Sequence, residues 1–228
     1  MQAEALTLDR VRLYDKTYRI IASQFPPIAL FESCADPKDL ESLFLLEGLT
    51  NDRLRQEAGV LSRVAEEDRV SGPGTSVIMA SFTHSGMASR FTDGSFGVYY
   101  AGFELKTAIA ESKYWQAKQI ADTEGEKPFS RTMRVYTANI NGDLSDLVDL
   151  RNNNEVHDLN NYSESQRWAK TLRNANEYGL VYNSVRNDGG LCLAAFRPPI
   201  IMRTTQAMHL RYCWNGNEID HVEQISNV

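Results

Sequence analysis

The chain has 228 residues, 42% hydrophobic and 24% charged, which is ordinary globular usage and long enough to bury a core without disulfides or metal. Its 24 basic and 30 acidic residues leave a formal net charge of −6, the wrong balance for a domain whose main task is gripping nucleic acid. Three scattered cysteines, Cys34, Cys192 and Cys213, make no CxxC or Cys/His cluster, which argues against a disulfide scaffold or structural zinc and for a reduced, cytoplasmic setting. Met1–Ile20 lacks the apolar run of a secretory leader, and no window approaches a membrane span, so neither is expected.

In chain order, Thr17–Phe31 predicts a short strand running into a Pro-Pro loop. Asp36-Pro37 opens a predicted helix with Leu40, Leu43, Phe44 and Leu46 on one side. Thr50 or Asn51 caps a second predicted helix, Asp52–Arg69, carrying Leu54, Ala58, Leu61 and Ala65 at near-helical spacing. Ser71-Gly72-Pro73-Gly74 stops it. Ser76–Phe82 and Phe96–Gly102 read as β-type runs on either side of a polar loop, Thr83–Ser95. Glu104–Ala121 reads as a helix, and Arg131–Ile140 alternates as a strand before Asn141-Gly142-Asp143. Ser163–Gly179 reads as a helix closed by Gly179. It leads into strands Leu180–Arg186 and Leu191–Pro198 around the turn Asn187–Gly190, and a last hairpin follows from His209 to Val222. The expectation is a single α+β domain over 1–228, with a helical N-terminal insertion at about 33–75 and a strand-rich core at about 76–225.

Two segments concentrate reactive groups. The first, His84–Glu111, holds Arg90, two adjacent tyrosines and a lone acid, Glu111, on a helix face shared with Thr107 and Ala108. A carboxylate there is partly desolvated and needs a partner or a ligand, although a salt-bridged helix glutamate is the plainer alternative. The second, Val181–Gly190, sets Ser184 and Arg186 at a strand end, where a backbone-bonded serine and an edge arginine are the plainer alternative. No GxSxG elbow, GxGxxG or Walker sequence occurs, and His84, His157, His209 and His221 form no metal-binding spacing. Trp115, Trp168 and Trp214 read as core.

Taken in order, TYRI (Thr17–Ile20), SRFTDGSFGVYYAGFELKTAIAE (Ser89–Glu111) and GLVYNSVRNDGGLCLAAFRP (Gly179–Pro198) resemble the RES domain, named for its Arg, Glu and Ser. Arg19 matches the early arginine, Arg90-Phe91 the Arg-aromatic pair, Glu111 the glutamate and Ser184 the serine. Tyr99 and Tyr100 compete for one tyrosine position, and HLRYCWNG near the end is similar to a longer subgroup. The match passes over the stretch from about 33 to 75, and His84 has no counterpart in shorter members.

The resemblance implies a fold related to ADP-ribosyltransferases and a toxin of a bacterial toxin–antitoxin pair that consumes NAD+ by hydrolysis or phosphorolysis. A mono-ADP-ribosyltransferase acting on a protein is the alternative, and a non-enzymatic partner of a DNA-binding regulator the third. The implied partner is an Xre-like helix-turn-helix antitoxin covering the site, which moves any DNA contact to that partner. On this reading Glu111 stabilises the oxocarbenium-like charge of glycosidic cleavage. Arg19 and Arg90 meet the pyrophosphate, Tyr99 or Tyr100 packs on nicotinamide, and Ser184 orients Glu111 or the ribose. Neither a metal nor a nucleophilic triad is required.

Overall fold

Alternation of apolar and polar residues makes two long strands, β1 (Arg10–Ala22) and β3 (Phe129–Asp146), which pair antiparallel from Arg10–Ser145 to Ala22–Met133. The computed structural model describes residues 8–23, 31–32, 36–40, 42, 59–123, 127–152 and 155–226. The other strands are β2 (Tyr99–Gly102), β4 (Gly179–Asn183), β5 (Leu191–Ala195), β6 (Thr205–Trp214) and β7 (Ile219–Ile225). The sheet order is β1-β2-β5-β4-β3-β6-β7, and β1 also pairs with β3. Five strands therefore close into a ring, while β6 and β7 extend from the free part of the β3 edge.

Every ring strand contributes to one hydrophobic cluster, which fills the inside of the ring. Val11, Leu13, Tyr99, Ala101, Ile140, Leu144, Val181, Leu193 and Ala195 meet there, covered by Ile78, Met79 and Phe82 of helix α1 (Ser76–Thr83). Outside the ring, helix α3 (Ser163–Asn174) packs Ala169 and Leu172 with Leu180, Tyr182, Cys192 and Ala194. Helix α2 (Leu105–Thr123) packs Ile120 with Met133, Val135, Leu210 and Tyr212. Among the described residues, no helix is long and apolar enough to cross a membrane.

The α+β class holds, with several local corrections. Ser76–Phe82 is helical rather than a strand: a short apolar run fits either form, and a ring closed by β1 leaves no edge for it. Helix α1 crowds the next predicted strand, since a Cβ on Gly97 would meet Ser81 O at 2.1 Å, and β2 begins only at Tyr99. Of the two predicted N-terminal helices, the parts at 43–58 lie outside the described residues. Residues 59–69 are not an α-helix but two short 3-10 turns, Leu61–Arg63 and Glu66–Asp68, preceded by Gly59 at φ +68°. The Pro-Pro loop and Cys34 also lie outside the described residues.

Strand β3 continues through Asn141-Gly142-Asp143 because β1 pairs with it throughout. Helix α3 ends at Asn174, with Asn176 turning the chain away at φ 61°, rather than running to Gly179. Gly179 opens β4, where a Cβ would meet Ala194 O at 2.5 Å. Strand β4 stops at Asn183, so Ser184 begins a turn instead of lying within a strand.

Candidate functional site: a cleft between two walls

The cleft lies between α2 and the ring, where Gly102 lets the helix approach the sheet: a Cβ there would sit 2.7 Å from Ala108 N. One turn on, Glu111 faces the cleft. The turn after β4 is built around Ser184. Its Oγ accepts the backbone N–H of Arg186 at 3.1 Å and of Asn187 at 3.0 Å, and donates to Glu111 Oε1 at 2.6 Å. Ser184 N donates to Gly190 O, and the Asn187 amide donates to Thr107 Oγ1 at 2.9 Å, locking the turn onto α2. Gly190 is required here, since a Cβ would lie 2.5 Å from Thr107 Oγ1. The serine hydroxyl is thus committed as donor to a carboxylate, the reverse of an activated nucleophile. Glu111 Oε2 has no hydrogen bond among the described residues.

The opposite wall is sparser. β1 and β2 share one pair, Tyr18–Gly102, and Arg19 fills the space beyond it. Its Nη1 donates to Tyr100 O at 3.0 Å and its guanidinium lies 4.7 Å from the Tyr99 ring centre. Its Nε is buried without a partner, as is the Tyr99 hydroxyl. Burial lowers the Arg19 pKa, partly offset by the neighbouring tyrosines, and desolvation pushes Tyr99 up to about 12.

Arg90 lines the cleft but is only 5% exposed. Its Nη1 donates to Asp158 O at 2.9 Å and Val156 O at 3.3 Å, and its guanidinium stacks 4.6 Å from the Tyr162 ring centre. The Tyr100 hydroxyl accepts from Phe91 N and pairs with Ser89 Oγ, tying the Arg90 loop to β2. Desolvation raises the Tyr100 pKa to about 12. At the floor, burial raises both the Cys192 thiol and the Tyr182 phenol, keeping them neutral. Two arginines against one carboxylate therefore make this cleft locally basic in an acidic chain.

The structure brings Arg19, Arg90, Tyr100 and Glu111 to one cleft and hydrogen-bonds Ser184 to Glu111. Tyr99 lies on the inner face of the ring and is not among the lining residues; strand alternation sends only Tyr100 outward. His84 caps α1, with Nδ1 3.1 Å from Ala80 O, and does not line the cleft. Arg186 also lies outside it, stacked 3.5 Å from the Tyr114 ring centre and donating to Leu159 O.

Trp115 corrects a core expectation, because it lines the cleft and lies 6.0 Å from the Tyr162 ring centre. Ser112 and Gln116 line it too and were missed. Their signal was the α2 stripe 108-111-112-115-116, one helix face that contains the acid. Trp214 is core, as expected, whereas Trp168 is half-buried and donates to Glu164.

The family model for the RES domain matches residues 66–215, more than half of the chain. The uncharacterized protein y4oC of Sinorhizobium fredii is 29% identical over 220 residues, covering 93% of this chain and 88% of that protein. Among solved structures, the crystal structure of the M. tuberculosis MbcT–MbcA toxin–antitoxin complex aligns with a TM-score of 0.46 and 13% identity, covering 87% of this chain and 86% of that one.

Proposed function

Because the chain belongs to the RES domain family, we propose that its cleft takes NAD+ as substrate and cleaves the bond between nicotinamide and ribose. The observation that carries this reading is the 2.6 Å hydrogen bond by which Ser184 fixes Glu111, a carboxylate lining the same cleft as Arg19 and Arg90. As the glycosidic bond breaks, positive charge develops on the ribose, and a fixed carboxylate stabilises that charge more than it stabilises the ground state. Ser184 holds one Glu111 oxygen still, which leaves the other for the ribose. Arg19, with a buried N–H lacking an acceptor, is the stronger of the two candidates for a pyrophosphate oxygen. Tyr100 and Trp115 offer ring faces to the planar ends of the substrate.

In the cell the same reading makes the chain the toxin of a toxin–antitoxin pair, held in check by an Xre-like helix-turn-helix antitoxin. The acceptor that completes the reaction is water, phosphate or a protein side chain.

The test is purified protein freed of any partner, mixed with labelled NAD+ with and without phosphate and cell extract. Nicotinamide release is expected, and the labelled product identifies the acceptor. Glu111→Gln keeps the shape of the side chain and removes its charge, so it should lower the rate by at least about 100-fold at an unchanged melting temperature. Full activity of that variant would refute the site, and no nicotinamide release under any condition would refute the substrate.

A further inference from the structure

A second cavity of about 150 Å³ shares no lining residue with the cleft. It opens beyond the Tyr99–Ala195 end of the β2–β5 ladder, whereas the cleft takes Gly102 and Cys192 from the other end. Its apolar walls are Phe82 of α1 with Phe96 and Phe196, all buried, and the last two pack edge to face at 6.1 Å. Three guanidinium groups, of Arg63, Arg173 and Arg197, also line it.

These three differ in what already satisfies them. Arg197 is fully engaged: Nε and Nη2 each donate to Asp68 at 2.7 Å, and Nη1 donates to Asn176 O at 3.0 Å. Arg63 makes only long contacts, 3.4 Å to Thr83 O and 3.5 Å to Ser85 O. The Arg173 guanidinium makes no hydrogen bond or ion pair among the described residues and lies 4.8 Å from the Phe96 ring centre. A half-buried cation stacked on a ring and facing a cavity, with no acceptor in reach, is an incomplete arrangement. Glu67 and Asp68 also line the cavity, so the three arginines leave an excess of one positive charge.

We propose that this cavity is a binding site for a small carboxylate with a flat apolar body, such as an aryl acid. The planar fork of Arg173 matches a carboxylate, and the phenylalanine walls take a ring edge to face. At about 150 Å³ the cavity has room for a benzene-sized ring, and its lining mixes the three phenylalanines with charged groups. One excess charge suits a monoanion, and the Glu67 and Asp68 carboxylates work against a phosphate dianion.

The experiment is fluorine NMR of 4-fluorobenzoate with the whole protein, using 4-fluorobenzamide as the uncharged match and inorganic phosphate as competitor. Saturable benzoate binding is expected, with weaker binding of the benzamide and no displacement by phosphate. Arg173→Gln, at an unchanged melting temperature, should weaken benzoate binding by about tenfold or more. Arg63→Gln should weaken it less, and Glu111→Gln in the cleft should leave it unaltered. Absence of saturable binding, equal binding by Arg173→Gln, equal affinity for the benzamide, displacement by phosphate, or loss of binding in Glu111→Gln would each overturn the proposal. The Glu111→Gln variant also separates this site from the catalytic reading, because the outcome here does not depend on NAD+ turnover.

Discussion

The two walls of the cleft are built on opposite terms. On the α2–β4 wall, Ser184 makes three hydrogen bonds through one oxygen, and Asn187 and Thr107 close the turn behind it. On the β1–β2 wall, a single strand pair holds the crossing, and both the Arg19 Nε and the Tyr99 hydroxyl are buried without partners. The satisfied wall fixes a carboxylate in place before any ligand arrives, which is what electrostatic stabilisation of a transition state demands. On the other wall, the unpaired Arg19 Nε carries a desolvation cost that an anion bound in the cleft would relieve, whereas the Tyr99 hydroxyl lies inside the ring. On the proposed reading, preorganisation and ligand affinity fall on different walls.

On that division, mutations on the two walls should uncouple stability from activity. The larger effect belongs to Ser184→Ala. It strands two backbone N–H groups and releases Glu111, so stability should fall by about 1–3 kcal/mol and the proposed nicotinamide release should slow at saturating substrate. Thermal unfolding and kcat measured on the same preparation check both halves; a variant as stable as the parent would break the comparison. Arg19→Leu should behave in the opposite way. It loses the bond to Tyr100 O and the stacking on Tyr99, but it also removes a buried unpartnered N–H, so stability should stay within about 1 kcal/mol of the parent. KM should nevertheless rise by about tenfold or more, because the anion loses its charged donor. A large stability loss with an unchanged KM would make Arg19 a structural residue.

How much of this was legible in the sequence follows the same physics. Glu111 and Ser184 stood out as polar residues in apolar runs, a pattern that a salt-bridged glutamate and a backbone-bonded serine give equally, and their hydrogen bond to each other is tertiary. The α+β class was legible, and the β4–β5 hairpin rests on the strong turn signal of Asn187–Gly190. What failed was tertiary. Ser76–Phe82 has an apolar run with no period of its own, and only ring closure decides it is helix α1. Whether Tyr99 or Tyr100 faces out depends on which face of β2 lies inside the ring, which two adjacent tyrosines do not reveal. The engagement of Arg90 with Val156 O and Asp158 O joins residues far apart in the chain through backbone carbonyls, which carry no side-chain signature. The Asp68–Arg197 pair and the cavity beside it are hidden for the same reason.

The last comparison sets the two tyrosines of β2 against each other, in alkali and at neutral pH. Desolvation raises both Tyr99 and Tyr100 from 10.0 to about 12 in the folded chain. A group whose folded pKa is raised gives its full stabilisation below the unfolded value, so nothing is lost up to about pH 10. Between 10 and 12 the unfolded chain releases protons that the folded chain keeps, and stability should fall by about 1 kcal/mol per pH unit for each tyrosine. Phenylalanine at either position removes that group's share of the slope. At neutral pH the two substitutions should part company. The Tyr99 hydroxyl has no partner, so Tyr99→Phe should leave stability unchanged or slightly improved. The Tyr100 hydroxyl accepts from Phe91 N and pairs with Ser89 Oγ, so Tyr100→Phe should cost about 1–2 kcal/mol and loosen the loop carrying Arg90. Urea unfolding at pH 7 and again near pH 11 resolves both statements. Equal costs at pH 7 would mean that the inner hydroxyl has found a partner and that the β1–β2 wall is as complete as the one facing it.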